Sequence, residues 1–119
     1  MKTAILDEPL VIKKNSDFRF ELDWIDPNRL NIDVSSFNAS MTLRRWEGEP
    51  SIITLSTDNN RATTAGNTMI FSAEAESTKD LDVCDPMFDI SVTYNDENGV
   101  SKKVTVLTGT ASIIADYSS

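Results

Sequence analysis

The chain has 119 residues, 39% of them hydrophobic and 25% charged, with a formal net charge of −8 and no histidine. That is enough for one self-sufficient domain, and the acidic balance argues against nucleic acid or an anionic membrane as partner, since both are held by Lys and Arg against phosphate. Without histidine the usual general base, the commonest metal ligand and most hydrolase triads are gone, and the single cysteine, Cys84, leaves no intramolecular disulfide and no CxxC pair.

Residues 1–8 read as a polar arm without a period and without the apolar core of a signal peptide. No apolar run approaches the ~20 residues that span a bilayer, so the expectation is a soluble, unsecreted protein made in a reducing cytoplasm. Pro9-Leu10-Val11-Ile12 reads as a short edge strand, its proline placed where a missing N–H costs least. Phe18, Phe20, Leu22 and Trp24 then alternate with Arg19, Glu21 and Asp23, a half-buried strand closed by the turn residues Asp26-Pro27-Asn28. Leu30, Ile32 and Val34 make a brief extended piece, and Phe37, Ala39, Met41 and Leu43 resume the alternation, sending Arg44 and Trp46 to the opposite face.

Glu47-Gly48-Glu49-Pro50 breaks that strand, and Ile52, Ile53 and Leu55 form a short apolar run before the polar stretch 56–61. Gly66-Asn67 marks a turn, after which Met69, Phe71, Ala73 and Ala75 alternate with Ile70, Ser72 and Glu74. Ser77 to Leu81 suits one turn of helix, with Ser77 as its cap. The clearest element spans 86–115: Phe88, Ile90, Val92 and Tyr94 alternate with polar residues, Asn98-Gly99 offers a tight hairpin turn, and the chain returns with Val100, Val104 and Val106 on even positions. Beyond Gly109 the apolar set moves to Ala111 and Ile113, and a glycine at a phase flip predicts a β-bulge there.

Short strands, turn residues between them and no helical period predict an all-β fold: an antiparallel β-sandwich, Ig-like or related, with about seven to nine short strands and no long helix. One domain is expected over 9–115, between the arm 1–8 and a tail 116–119. Its expected core is Phe18, Phe20, Leu22, Trp24, Phe37, Met41, Leu43, Phe71, Phe88, Ile90, Val92, Val104 and Val106.

Asp80, Asp82 and Asp85 crowd one loop, but lack the spacing of a calcium loop and read as solvated surface. Nineteen carboxylates will place some pair at glycosidase spacing by chance, so neither catalysis nor a cofactor nor a metal is predicted. Cys84 reads as a small, half-buried apolar residue, with no base or cation placed to form its thiolate. Arg44, Arg45 and Trp46 have the composition of an interface anchor. The alternative is that Trp46 folds over the sandwich rim while Arg44 pairs with an acid. Trp46, Tyr94 and Tyr117 are also the candidate stacking platforms of a carbohydrate-binding module.

The pattern Asp17-Phe18-Arg19-Phe20, Leu30 to Val34, Ala39 to Arg44, Leu55-Ser56-Thr57, Met69 to Leu81, Phe88-Asp89-Ile90 and Leu107-Thr108-Gly109 resembles small all-β structural proteins of tailed bacteriophages and prophages, similar to the sandwich domains that begin baseplate and tail-fibre components. The chain departs from that pattern at Asp26-Pro27-Asn28-Arg29, where a glycine turn is usual, and in carrying no fibre or receptor-binding region after Ile113. The resemblance implies a non-enzymatic virion protein, made in the bacterial host cytoplasm, that acts as an assembly or adaptor block of the tail, baseplate, neck or fibre attachment region. Its partners would be other virion proteins or further copies of itself, reached through Arg44, Arg45, Trp46, Leu6 and Tyr117. A capsid decoration protein is the alternative within the same class.

Overall fold

The computed structural model describes residues 4–5, 9–23, 34–46, 48–95 and 98–115. Nine strands lie among them: β1 (Ala4–Ile5), β2 (Leu10–Lys13), β3 (Phe18–Asp23), β4 (Asn38–Arg44), β5 (Ile53–Ser56), β6 (Ala62–Ala65), β7 (Thr68–Ala73), β8 (Met87–Asn95) and β9 (Ser101–Ile114). A 3₁₀ turn, Thr57–Asn59, and a four-residue helix, α1 (Ala75–Thr78), complete the elements. The first sheet runs β1-β9-β8-β4-β5, with β2 also on β9; the second runs β3-β7-β6. In chain order this is immunoglobulin-type connectivity, with β3, β7 and β6 as strands B, E and D and β5, β4, β8 and β9 as C′, C, F and G.

The all-β sandwich is therefore as the alternation predicts, but it is not wholly antiparallel. β1 and β2 both pair parallel to β9, Ala4 against Leu107 and Leu10 to Lys13 against Ala111 to Ile114. Part of the expected arm thus belongs to the sheet, while Leu6 and the tail 116–119 lie outside the described residues. The predicted edge strand at Leu10 is where the first sheet ends, so its parallel pairing needs only one partner.

Each inner face is the apolar half of an alternation. Met41, Leu43, Leu55, Ile90, Val92 and Ile113 from the first sheet meet Met69 and Phe71 from the second, all essentially without solvent contact. Of the expected core, Phe18, Phe88 and Val106 are also buried, whereas Phe20, Leu22, Phe37 and Val104 are half-buried against it. Trp24 lies outside the described residues. At ~1.5 to 3 kcal/mol per buried large side chain, this layer is the main force joining the sheets.

Three local expectations are corrected, and one strand forms that the sequence does not announce. The register shift in the β8–β9 ladder falls where Ile90 pairs with Leu107 and Ser91 with Thr105, so Val106 is the extra residue; Gly109 sits in regular register opposite Phe88. Val106 and Leu107 are both buried, and burying two consecutive strand residues is what the bulge achieves. The β8–β9 hairpin closes at Asn95 and Ser101, leaving a five-residue connection rather than a tight two-residue turn, with Gly99 at φ 77°. α1 starts earlier than expected, and Ser77 is not its cap. The Asp17 carboxylate instead accepts from the Ala75 N–H at 2.8 Å, a cap delivered across the fold, and Ser77 Oγ accepts from Arg61 at 2.8 Å. Finally, β6 carries no large side chain and gives no sequence signal. It forms because Gly66, at φ 59°, heads a two-residue turn that folds it onto β7.

Candidate interaction surface

The first sheet turns its other face to solvent, and its register fixes what stands there. From the hairpin end downward, one row holds Thr105, Ser91, Ser40 and Ser56, of which Ser91 and Ser56 are buried among their neighbours, and the next holds Thr108, Asp89, Thr42 and Thr54. Below them come Thr110, Met87 and Arg44, then Val11 and Ser112. The bridge between Cys84 and Ile113 extends the β8 edge downward, and Ser112 Oγ donates to Asp85 Oδ1 at 3.0 Å. This brings Val83 level with Ile114 and Lys13. The face is thus hydroxyl-rich above, while below, large apolar side chains stand among Thr110, Ser112, Asp85, Arg44 and Lys13.

Six large hydrophobic residues are exposed among the described residues, and five of them, Val11, Trp46, Val83, Met87 and Ile114, belong to this lower end, 37% to 61% exposed. Val100, at the hairpin connection, is the sixth. A scattered exposed Val or Met is ordinary, whereas a contiguous apolar patch rimmed by polar groups marks a binding surface.

The rim is built from the residues singled out in the sequence. Arg44 stands on the outer face as the alternation predicts and meets Asp89 at 3.5 Å. Arg45 pairs with Asp82 at 3.1 Å. Both pairs are solvated and worth at most about 1 kcal/mol each, so their effect is to hold the guanidinium groups beside the patch. Trp46 is 58% exposed, and its Nε1 donates to Glu49 Oε1 at 2.8 Å. That bond orients the indole while leaving most of it in water, so Trp46 does not fold away over the rim. The loop carrying Trp46 overhangs the sheet, and a shallow groove forms between Gly48 and Glu49 on one side and Arg44, Met87, Asp89 and Thr108 on the other.

Arg44, Arg45 and Trp46 are therefore brought together, while Leu6 and Tyr117, the other proposed contacts, lie outside the described residues. Tyr94 stacks on Phe37 with ring centroids 5.1 Å apart, so one of its ring faces is already occupied. In the acidic loop, Asp82 and Asp85 are held by Arg45 and Ser112. Cys84 is half-buried in a backbone bridge, its carbonyl accepting from Ile113 N–H at 2.8 Å.

Sequence pattern alone does not single out Val11, Val83, Met87 and Ile114. Their signal is parity: Val83 and Met87 share the odd phase of Asp85 and Asp89 and oppose the inward Phe88 and Ile90. No family model matches this chain, and no curated protein does.

Proposed function

We propose that this protein is a non-enzymatic assembly block that works by protein–protein contact through the outer face of its β2-β9-β8-β4-β5 sheet. The observation that carries this reading is the gathering of Val11, Trp46, Val83, Met87 and Ile114 at one end of one sheet face, with Arg44 and Arg45 held at its rim. Exposed Trp and Met beside Arg is the composition of an interface centre. The strand pattern's resemblance to phage sandwich domains directs the reading further, to a virion protein of the tail, baseplate, neck or fibre attachment region, with capsid decoration as the alternative position.

The test is the protein inventory of purified phage particles set beside the solution behaviour of the isolated chain. Stoichiometric presence in particles together with binding to another particle protein or to itself is the expected outcome. Absence from particles combined with a strictly monomeric, non-binding protein refutes the reading.

A carbohydrate-binding module is the second reading, favoured by one observation: Trp46 stands beside a groove lined by Glu49, Asp89 and threonines, an aromatic platform next to hydrogen-bonding groups. Titration with oligosaccharides while following tryptophan fluorescence separates the two, since the assembly reading expects no saturable change.

A further inference from the structure

We propose that a second copy of this chain covers the outer face of the β2-β9-β8-β4-β5 sheet, making a two-fold dimer in which sheet packs on sheet. The inference rests on the assembly reading above and names the partner for its surface. Three observations favour a second copy over an unlike protein.

The first is charge. Among the described residues, the charged side chains placed on this face or its lower rim are Lys13, Arg44, Arg45 and Lys103 against Glu49, Asp82, Asp85 and Asp89. Their formal charges cancel, although the chain as a whole carries −8. Two acidic molecules can therefore approach through this face without the repulsion they meet elsewhere, whereas a basic partner would be drawn to the rest of the surface.

The second is size. β9 runs about nine residue steps of ~3.3 Å from Thr105 to Ile114, while β2 and β5 cover four residues each at opposite ends, so with strands ~4.8 Å apart the flat footprint of the face is roughly 500 Å². Its protruding side chains and the Trp46 loop enlarge that footprint towards the ~800 Å² that a standard stable interface takes from each partner.

The third is self-complementarity. A two-fold axis parallel to the strands, between β8 and β9, keeps the apolar end of one face over the apolar end of the other and sets the carboxylates of Asp89 and Asp85 over the hydroxyls of Thr108 and Ser112 rather than over their own copies. With β8 of each copy over β9 of the other and β4 over β2, the same axis lays Val83 over Ile114 and Trp46 over Val11, twice. An axis across the strands would set apolar rows against threonines and leave both unsatisfied. The residues that contact each other under the first arrangement are those that are exposed and apolar in the single chain, as an isologous interface requires.

The experiment is sedimentation equilibrium of the full chain across micromolar concentrations, with Met87→Lys, Ile114→Lys and the control Val100→Lys. The expected result is a species of twice the 13.2 kDa chain mass, with dissociation constants raised at least about tenfold by Met87→Lys and Ile114→Lys and unchanged by Val100→Lys, while circular dichroism reports the same fold in all four. A wild-type chain that stays monomeric overturns the dimer, as does equal disruption by Val100→Lys or a dimer indifferent to both face variants. If the monomeric chain is nevertheless stoichiometric in particles, the assembly reading survives and only the self-partner fails.

Discussion

The two outer faces of this sandwich are built on the same alternation and come out differently. On the β3-β7-β6 sheet, Arg19 pairs with Glu21 on its own strand, Thr68 Oγ1 donates to Asp23 at 2.7 Å, and Ser72, Thr63 and Ala65 are exposed around the half-buried Ile70. None of the exposed large hydrophobic residues lies there. On the opposite face the charges of the two signs balance, hydroxyls occupy the upper rows and five large apolar side chains collect below. Both inner faces line the same core, with Phe20 and Leu22 on one and Val104 on the other half-buried at its margin, so the difference lies in the outward-pointing residues. One face is arranged to remain in water and the other to leave it.

Four substitutions test that contrast, in decreasing order of effect. Phe71 is fully buried between the sheets, and Phe71→Ala should cost about 3–5 kcal/mol, read as a lowered urea midpoint. Loss of both faces in a single transition is expected, because one core supports them. Thr78 ties the layers together at their edge: its buried Oγ1 accepts from Ser16 N–H at 3.2 Å and donates to Ser16 O at 2.8 Å. Thr78→Val leaves those backbone groups without a partner, a loss of about 1–3 kcal/mol, while association through the apolar face should persist at temperatures below the new melting point.

Trp46→Ala separates binding from folding. The exposed indole contributes little to the monomer, so its urea midpoint should move by less than about 0.5 kcal/mol, while self-association measured by sedimentation weakens about tenfold, roughly 1.4 kcal/mol. Glu21→Ala on the charged face is the smallest: stability within about 0.5 kcal/mol, given an exposed ion pair, and association unchanged. If Glu21→Ala and Trp46→Ala weaken association alike, the two faces are not functionally distinct.

The strands with large residues in strict alternation are legible in the sequence: β3, β4, β7 and β8 stand where Phe18, Met41, Phe71 and Ile90 put them. β6 is not, because Ala62-Thr63-Thr64-Ala65 buries only Ala62 and owes its strand to pairing with β7. The bulge is legible as a phase change but not in place, since the adjacent pair Val106-Leu107 carries it and Gly109 only lies nearby. Parallel pairing of β1 and β2 cannot be read from two and four residues. For the surface, Arg44 and Trp46 follow from local parity, whereas the convergence of Val11 with Val83, Met87 and Ile114 depends on register across three segments. Local pattern assigns a side chain to a face; only pairing says which faces share neighbours.

The parallel pairing of β2 with β9 has a mechanical consequence. Tension applied through the two ends draws β2 toward its start and β9 toward its finish, so the strands slide against each other and their backbone bonds are strained simultaneously. An antiparallel arrangement with both ends on one side would open like a zipper, one bond after another. Force spectroscopy on the full chain should therefore show a high rupture force that falls when residues 1–13 are removed. A block clamped in shear can sit in series within a load-bearing assembly and pass tension along its long strand without opening its core.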